Sequence, residues 1–475
     1  MLDDLRHNCG VVVAHTLHDA YSFGESLQPR GREAAGLGAI GDDRIDVVKW
    51  KGPIKRFSIT DLHRIFPGHN YHTYFFHTRY ATRGRKDEIL EDAHPITIGG
   101  RTEGNGDHVF ILDCEAAIIH NGQVNGGFFK DIDSNLVRTG GDSEYLLHFF
   151  RQYSEREILR NIPGAYTLAI ADKGRKDVVV LRDRTGMKPG VLGWKDGKVV
   201  MASEDVAFNE NGATVIEELT PGSIYYLHPQ GDYRKEQVID SKLKSCFFEY
   251  NYIANVLSTL GGVSVRTVRS LMGEALANDP DISNIIENID IVTYMPRCPE
   301  PAARKFAEKI GKPFEFVFYK PNDERAFQGS TLEERANSIR GNLFLIPEIK
   351  QKIKDKVVAV VDDSLVRGNN STHARNLLYN QAQVREAHLI NYTPPIGIIG
   401  DDGIQRGCSF GVDMPQNDKF VARDRTLDQI AKHIGMPVHY LSLKGMLGVF
   451  AKLGINKKNL CYFCIGGNEP FKLEI

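Results

Sequence analysis

The feature that most constrains the fold of this sequence is the alternation of apolar strands and amphipathic helices in its second half. The apolar runs IDIVTYM, FEFVFY and KVVAVVDD begin near residues 289, 314 and 356, and the helix-like stretches PEPAARKFAEKIG and STHARNLLYNQ lie between or after them. Strands that are apolar along their whole length are typical of a parallel sheet with helices on both faces. This half of the chain therefore predicts an α/β domain with a parallel sheet.

The first half has a different pattern. Short β-type runs such as CGVVVAH, TYFFHTRY and YTLAIAD are separated by Gly, Asn and Asp, and helical stretches occur at DSEYLLHFFRQY and SEREILRNI. Many short strands with few helices favour a layered α+β domain. The chain turns polar near residues 229–245, so we expect one domain over residues 9–235 and a second over residues 236–475.

Charge and cysteine content exclude several classes of protein. The formal net charge is -2, so neither nucleic acid nor an anionic membrane is an expected partner. No apolar run approaches the roughly 18 residues that span a bilayer, and MLDDLRHN lacks the apolar core of a secretory signal. The 7 cysteines are an odd number spread over a long chain, which argues against a disulfide framework and favours a cytoplasmic protein.

Cys9 is the first candidate for chemistry. It stands at the head of an apolar strand and is followed by Gly10, so no adjacent side chain crowds its thiol. If residues 1–8 are removed as a propeptide, the α-amine of Cys9, with a pKa of about 7.7 to 8, can take the thiol proton near neutral pH. The pattern predicts an N-terminal nucleophile, and the structural alternative is a buried cysteine in a strand.

Three further segments supply the groups that hydrolysis of a glutamine amide needs. The Asn121 side chain and the Gly122 N–H suit a developing oxyanion, the Arg79 guanidinium suits a carboxylate, and Asp142 suits an ammonium group. Each segment also has a plain alternative. Asn-Gly is a favoured turn, Asp142 can cap a helix, and Arg79 can be a surface charge.

The motifs LQPRGREAAG, HTRYATRG, HNGQ and GDSEYLL, which follow the Cys-Gly start in this order, resemble the class II glutamine amidotransferases. Among these they are more similar to the amidophosphoribosyltransferases of purine synthesis, over most of residues 9–230. The resemblance implies a glutaminase with the αββα sandwich of the N-terminal-nucleophile enzymes. It implies catalytic roles for Cys9, Asn121 and Gly122, and glutamine-binding roles for Arg30, Arg79 and Asp142.

The string VVAVVDDSLVRGNNS is the most specific motif of the second half. An acidic pair ends an apolar strand, and a polar loop containing Gly368 leads into a helix, whose first N–H groups attract phosphate. The acidic pair can hold ribose hydroxyls and a hydrated magnesium ion. The string resembles the phosphoribosyl pyrophosphate (PRPP) signature of type I phosphoribosyltransferases. That resemblance implies Mg²⁺ at the acidic pair and PRPP binding by Asp362, Asp363, Ser364, Arg367, Gly368, Asn369, Asn370 and Ser371.

The second half also departs from that family. Asn369 and Asn370 replace two threonines, and Cys298 in MPRCPEPAA replaces a hydroxyl residue that approaches magnesium. A flexible loop is only echoed by KPNDERAF, which keeps Arg325 and Phe327, and a basic position has become Asn342. These changes motivate an alternative, in which the second half is a non-catalytic nucleotide-sensing module beside an active glutaminase.

Cys461 and Cys464 form a C-x-x-C pair, which chelates metal or acts as a redox dithiol. One subgroup of the resembled family carries a 4Fe–4S cluster, and the resemblance implies that Cys246, Cys408, Cys461 and Cys464 are its ligands. Zinc is the alternative for the same four thiols.

Taken together, the motifs predict a two-domain enzyme that uses glutamine and PRPP to make 5-phosphoribosylamine. The resemblance further implies a homotetramer. An amidotransferase for another acceptor, such as a sugar phosphate, fits less well, because the chain lacks an SGGxDS loop for ATP and a repeated sugar-isomerase domain. An inactive scaffold protein would leave Cys9, Arg79 and Asn121 as coincidence.

Overall fold

The computed structural model describes residues 8–66, 70–80, 89–124, 126–139, 141–320, 343–408, 410–412, 414–417 and 419–470. It divides the chain into a first unit of residues 1–245, 410–413 and 471–475, and a second unit of residues 246–409 and 414–470. The predictions for Arg325, Phe327 and Asn342 lie outside the described residues, as does the proposed propeptide apart from Asn8.

The first unit is built from 13 strands in one hydrogen-bonded sheet and five helices in the described residues. The strands are β1 (Gly10–Ala14), β2 (Ala34–Gly41), β3 (Ile45–Lys51), β4 (Tyr71–Arg79), β5 (Ile96–Asn105), β6 (His108–Val124), β7 (Gly164–Asp172), β8 (Val178–Arg182), β9 (Val191–Lys195), β10 (Lys198–Ala202), β11 (Thr214–Glu218), β12 (Ser223–Leu227) and β13 (Tyr233–Gln237). The helices are α1 (Leu17–Ser26), α2 (Ile59–Ile65), α3 (Asp142–Gln152), α4 (Glu155–Asn161) and α5 (Val206–Asn211).

The strand order is β11-β9-β10-β1-β4-β2-β3-β6-β7-β8-β12-β13, with β5 on β6, and every pairing recorded along it is antiparallel. Alternate residues of each strand point to opposite faces. Val11 and Ala169 therefore share a central core, Val12 packs with α1, α2 and α5, and Leu168 packs with α3 and α4. The predicted αββα sandwich is confirmed.

The second unit contains shorter elements around a small sheet. Its strands are β14 (Ser245–Cys246), β15 (Thr259–Leu260), β16 (Val263–Ser264), β17 (Ile291–Tyr294), β18 (Phe318–Tyr319), β19 (Phe344–Leu345), β20 (Val357–Asp362), β21 (Glu386–Asn391), β22 (Val438–Tyr440) and β23 (Leu460–Cys461). Its described helices are α6 (Val265–Ala277), α7 (Pro280–Ile286), α8 (Glu300–Ile310), α9 (Ile349–Ile353), α10 (Asn369–Asn376), α11 (Leu427–Ile434) and α12 (Leu443–Lys452).

Strands β17, β20, β21 and β22 form a parallel sheet in that order. One face, carrying Val358 and Leu389, packs on α9, α10 and α11, while Val292 and Ala359 on the other face are also buried. Burial of both faces explains why these strands are apolar throughout, and the predicted α/β architecture is confirmed.

Two details differ from the sequence expectation. FEFVFY was expected to be a strand of the parallel sheet, but it makes an isolated parallel bridge from Phe314 to Val292 and then the short β18, which pairs antiparallel with β19. Helix α1 follows β1 directly, where the sequence analysis predicted no helix. Thr16 caps it by accepting the Asp19 N–H.

Within the described residues, no helix is both long and apolar enough to cross a bilayer.

Candidate active sites

Cys9 is fixed at the start of β1 by bonds to its own backbone and to that of the next two residues. The Arg30 Nε donates to the Cys9 carbonyl at 3.0 Å, Gly10 N–H donates to Thr78 Oγ1 at 3.1 Å, and Val11 N–H donates to Ser203 Oγ at 2.9 Å. Cys9 is fully buried. The position of the thiol is therefore set by the backbone clamps around it.

Burial and the positive charges around Cys9 shift the pKa of its thiol in opposite directions. Burial raises the pKa of the Cys9 thiol to about 11, whereas a hydrogen bond with the Tyr80 backbone and the positive charges of Arg79, Lys188 and Arg30 act to lower it. The same cations would favour the neutral form of an α-amine at Cys9, since an ammonium group beside them is disfavoured. A neutral amine is the form that can accept the thiol proton.

Asn121 and Gly122 lie on β6, next to the strand pair that carries the nucleophile. β1 pairs with β4 from Gly10 opposite Thr78, so Cys9 and Arg79 leave the pair at the same end. His77 on β4 then donates from Nε2 to the carbonyl of His120 on β6 at 3.2 Å. This bond ties the nucleophile strands to the residue directly before Asn121.

The Asn121 side chain is buried, and neither its Oδ1 nor its Nδ2 has a hydrogen-bond partner within the described part of the chain. Burial of an unpaired amide is costly, so such a group indicates a function. Gly122 has φ of +154°, and a Cβ there would come within 2.2 Å of the Ala165 carbonyl. Both residues suit the predicted oxyanion site, where a donor must stay available for the substrate.

Arg79 is buried, and two nitrogens of its guanidinium group already have hydrogen-bond partners. Its NH1 donates to the Ile89 carbonyl at 2.7 Å and its NH2 donates to Asp92 Oδ2 at 3.0 Å, while Nε has no partner among the described residues. A substrate carboxylate at this guanidinium would therefore share it with Asp92. Arg79 can still supply the charge that the sequence analysis assigned to it.

Asp142 begins α3 and faces the same strand as Asn121. Its Oδ2 accepts the Val124 N–H at 3.0 Å, and its Oδ1 accepts the Ser143 hydroxyl at 3.2 Å. A carboxylate in the first turn of a helix also gains from the helix dipole. Asp142 is thus held close to the end of β6 by these two hydrogen bonds.

Arg30 has contacts that differ from the predicted glutamine binding. Besides the bond to the Cys9 carbonyl, its guanidinium forms a buried ion pair with Glu204. Through these contacts Arg30 clamps the backbone of Cys9, and its predicted role in glutamine binding stays a prediction. Glu204, Ser203 and Lys188 were not singled out from the sequence, because isolated polar residues in apolar surroundings carry no spacing signal.

A buried histidine cluster was also missed. His77 and His94 stack with ring centroids 4.3 Å apart, and His120 lies 6.4 Å from His94. Burial lowers the pKa of His77 and of His120 to about 3, so both are neutral at physiological pH. His77 and His120 stand inside the HTRY and HNG motifs, which was the signal available in the sequence.

In the second unit, β20 ends at the predicted acidic pair. Asp362 and Asp363 are both buried. Burial and the neighbouring charge of Asp363 raise the pKa of Asp362 well above its ordinary value, and Lys320 acts in the opposite direction. Two adjacent buried carboxylates repel each other unless a cation lies between or beside them. The pair therefore fits the predicted magnesium site.

The loop after the acidic pair has the expected form. Ser364 donates to Asp363 Oδ1 at 2.7 Å, and Gly368 precedes α10 with φ of +81°, a conformation that favours glycine. A Cβ at Gly368 would meet Ile434 at 2.7 Å. Of the remaining predicted residues, Ser371 is buried in α10, Arg367 and Asn370 are half-buried, and Asn369 is exposed.

Cys298 lies at the same end of the sheet. Its thiol donates to the Tyr252 carbonyl at 3.4 Å. Burial lowers the pKa of Lys320, while Cys298, Asp362 and Asp363 act on Lys320 in the opposite direction, so these groups share one neighbourhood. The sequence analysis identified Cys298 but missed Lys320, a cation beside the acidic pair.

The four predicted cluster cysteines also converge. Burial and the charges of Cys408, Cys246 and Cys461 raise the pKa of Cys464 well above its ordinary value. β14 pairs with β23, which brings the segments of Cys246 and Cys461 together. No set of three His, Cys, Asp or Glu side chains in the described ranges is arranged to hold a single metal ion.

Known proteins are similar to this chain in sequence and in fold. A family profile described as "Glutamine amidotransferase domain" matches residues 107–235. The chloroplastic amidophosphoribosyltransferase of Glycine max is 29% identical over 99% of this chain and 79% of its own length. The Bacillus subtilis amidophosphoribosyltransferase is 26% identical over 99% of this chain and 95% of its own.

Among solved structures, a glutamine PRPP amidotransferase from B. subtilis, complexed with ADP and GMP, superimposes with a TM-score of 0.78. It is 24% identical, and the match covers 98% of this chain and 99% of that one, so the two share a fold along their whole length. Fold and site define a class II glutamine amidotransferase unit joined to a phosphoribosyltransferase-type unit. Over nearly its full length the chain is similar to amidophosphoribosyltransferases from plants and bacteria.

Proposed function

We propose that this protein is a glutamine-dependent amidophosphoribosyltransferase, which makes 5-phosphoribosylamine from PRPP and glutamine at the start of purine synthesis. The observation that carries the proposal is the buried amide of Asn121, which has no hydrogen-bond partner among the described residues, in the unit that clamps Cys9. Such an amide is costly to fold, and oxyanion stabilisation accounts for its presence. Full-length similarity to amidophosphoribosyltransferases supports the second half-reaction.

In the first half-reaction, the Cys9 thiol adds to the side-chain amide carbon of glutamine, and the α-amine of processed Cys9 takes the thiol proton. The carbonyl oxygen becomes an oxyanion, which accepts hydrogen bonds from Asn121 Nδ2 and the Gly122 N–H. Collapse releases ammonia with the proton that the amine returns. Water then hydrolyses the thioester to glutamate and restores the thiol.

Glutamine binding is assigned to Arg79 and Asp142. Arg79 holds the α-carboxylate, and Asp142 holds the α-ammonium group. Arg30 acts through the Cys9 carbonyl. In the second half-reaction, ammonia attacks C1 of PRPP, the C–O bond to pyrophosphate breaks, and 5-phosphoribosylamine forms.

For the second half-reaction we assign PRPP to the loop from Asp362 to Ser371, with phosphate at the start of α10. Magnesium, when bound at Asp362 and Asp363, supplies charge neutralisation for pyrophosphate. Lys320 adds a cation at the same place. The thiol of Cys298 in this neighbourhood is the observation that favours the alternative, a nucleotide-sensing unit without transfer.

We further propose a 4Fe–4S cluster at Cys246, Cys408, Cys461 and Cys464. A single zinc ion needs its thiolates gathered at about 2.3 Å from one centre, whereas a cluster takes one thiolate on each of four irons and accepts wider spacing. The charges of Cys246, Cys408 and Cys461, which act on the pKa of Cys464, support a group shared by the four thiols. Iron, sulfide and zinc analysis of protein purified without oxygen distinguishes the two.

The remaining parts of the proposal are processing, location and assembly. We propose cleavage before Cys9, a cytoplasmic location and a homotetramer. N-terminal sequencing of protein from its native host should begin at Cys9, and light scattering should give four times the chain mass. An intact Met1 in fully active enzyme would exclude the free-amine mechanism.

Replacement of Cys9 by Ser tests the function directly. The variant should lose glutamate and 5-phosphoribosylamine formation from glutamine, but retain pyrophosphate release from PRPP with added ammonia, because the second unit is unchanged. If Cys9→Ser still hydrolyses glutamine, the assigned nucleophile is wrong. If the wild type releases glutamate but never pyrophosphate, the alternative with a non-catalytic second unit is favoured.

A further inference from the structure

Ser143 lies at the centre of a buried polar cluster next to the glutamine pocket. Its Oγ is 3.0 Å from His94 Nε2 and 2.9 Å from His120 Nδ1, and it donates to Asp142 Oδ1 at 3.2 Å. Ser143, His94 and His120 are all buried. One hydroxyl therefore has three side-chain partners that come from α3, the segment before β5, and β6.

Counting protons fixes the direction of each bond. A serine hydroxyl has one hydrogen and two lone pairs. Because a carboxylate can only accept, the hydrogen of Ser143 goes to Asp142, and both lone pairs must accept from the histidines. His94 is then protonated at Nε2 and His120 at Nδ1.

In this arrangement the Asp142 carboxylate has uncharged donors from Ser143 and Val124. Asp142 receives hydrogen bonds from the Ser143 hydroxyl and from the Val124 N–H, and neither of these donors carries a charge. Histidines that donate to Ser143 polarise its hydroxyl and hold it in one orientation, since hydrogen bonds in a chain strengthen one another. These two donors orient the carboxylate without adding a charge to it.

We propose that His94, Ser143 and His120 are positioning residues, which orient Asp142 so that its carboxylate binds the α-ammonium group of glutamine. This inference rests on the proposed glutaminase function and deepens it. The three residues act through Asp142 and touch no reacting atom. Their effect should therefore appear with substrates that carry an α-ammonium group, and should be absent without one.

The test compares two amides in the full-length, processed enzyme. Glutamine carries the α-ammonium group, whereas glutaramate has the same chain, carboxylate and amide but no amine. For Ser143→Ala, the KM for glutamine should rise about tenfold or more, which corresponds to a lost hydrogen bond to a charged group. Its kcat with glutamine, and its kcat/KM with glutaramate, should stay within about twofold of wild type.

Conservative substitutions of the histidines provide a second readout. The amide nitrogen of Gln occupies the place of a histidine Nε2, and that of Asn the place of Nδ1, so His94→Gln and His120→Asn keep the N–H that Ser143 needs. These variants should keep a KM for glutamine near that of wild type. His94→Leu and His120→Leu should raise it as Ser143→Ala does.

Ser134→Ala is the matched control, because Ser134 is an exposed serine shortly before α3 and lies outside the cluster. Equal loss of activity toward both amides in Ser143→Ala, or an unchanged KM for glutamine, would overturn the inference. If His94→Gln and His94→Leu behave alike, the hydrogen bond from His94 is irrelevant and the inference fails as well. A wild type that hydrolyses neither amide would instead contradict the proposed function.

Discussion

At the scale of single residues, Asn121 has a side chain whose burial costs stability and whose proposed role is to stabilise the oxyanion of the reaction. Its buried amide has no partner in the described ranges, and this lowers stability because water has been removed and no hydrogen bond there replaces it. The substrate's oxyanion supplies the missing partner only during the reaction. The residue therefore belongs to the class of groups that are retained for function.

Asn121→Ala should separate these two effects. We expect kcat for glutamine hydrolysis to fall about 10²- to 10³-fold, as for other oxyanion donors. The free energy of unfolding should not fall, since the substitution removes an unpaired polar group. Steady-state kinetics and urea denaturation check both. A loss of stability above about 2 kcal/mol would mean that the amide has a native partner.

Lys49 is a second residue of the first unit whose burial lowers the stability of the fold. It is buried in β3, where its ammonium group donates to the Glu91 carbonyl at 3.3 Å. Burial lowers the pKa of Lys49 to about 7, and the charges of Arg138 and Arg79 act in the same direction. Since the unfolded chain binds this proton more tightly than the folded one, stability should rise with pH between about 7 and the ordinary value of 10.5.

Lys49→Met keeps the length of the side chain and removes its charge. The variant should be more stable than wild type at pH 7, and the difference between them should shrink as the pH approaches 10. Chemical denaturation of both proteins at several pH values measures this difference. A difference that does not change with pH would show that Lys49 keeps its proton in the folded state.

At the scale of elements, the antiparallel pair of β6 and β7 sets the geometry of the oxyanion site. Gly122 lies opposite Tyr166 in this pair and has a backbone conformation that side chains rarely adopt. A Cβ there would collide with the Ala165 carbonyl, which belongs to backbone and cannot rotate away. The close approach of β7 therefore requires glycine.

Gly122→Ala should lower both stability and glutaminase activity, because β6 and β7 must separate to admit the methyl group. The control is Gly106→Ala, in the turn between β5 and β6, where a Cβ would meet nothing within 4 Å. We expect Gly106→Ala to match wild type in melting temperature and in kcat. Equal melting temperatures for Gly122→Ala and wild type would contradict the close approach.

The end of β20 offers the corresponding test in the second unit. Asp363→Asn removes the charge that, with burial, raises the pKa of Asp362. In wild type, the folded-state pKa of Asp362 lies above the unfolded value, so the apo protein loses stability as pH rises through that folded-state value. The variant should be more stable than wild type at neutral pH without magnesium.

The same variant should lose PRPP-dependent activity and the stabilisation of wild type by magnesium with PRPP, while it keeps glutaminase activity. Thermal melts with and without these ligands, together with glutamate release, provide the readouts. Asp355→Asn, a change of an acidic residue outside the motif, serves as the control. Undiminished transferase activity in Asp363→Asn would show that the acidic pair is not part of the PRPP site.

At the scale of the whole molecule, the architecture of each unit was predictable from sequence. The continuous apolar character of IDIVTYM and KVVAVVDD reflects burial of both faces of β17 and β20, and short β-type runs reflect the layers of the first unit. The prediction that FEFVFY is a strand of the parallel sheet was wrong. An apolar composition indicates burial, but it does not indicate whether a segment pairs along its whole length or only at Phe314.

The candidate sites were predictable where one motif carries several groups, as with Asn121 and Gly122 or Asp362 and Gly368. The supporting residues were not. Glu204 meets Arg30 across 174 positions of sequence, and Lys188 reaches Asn8 across 180. Pairings of this kind depend on the strand order of the folded sheet, which no local pattern records.

The central claim is that one chain couples glutamine hydrolysis to amination of PRPP, and a coupled assay tests it most directly. Purified protein is incubated without oxygen with glutamine and magnesium, with and without PRPP, and glutamate and pyrophosphate are followed together. We predict that PRPP stimulates glutamate release and that the two products then form in equal amounts. Glutamate release that PRPP leaves unchanged, without any pyrophosphate, would contradict the claim.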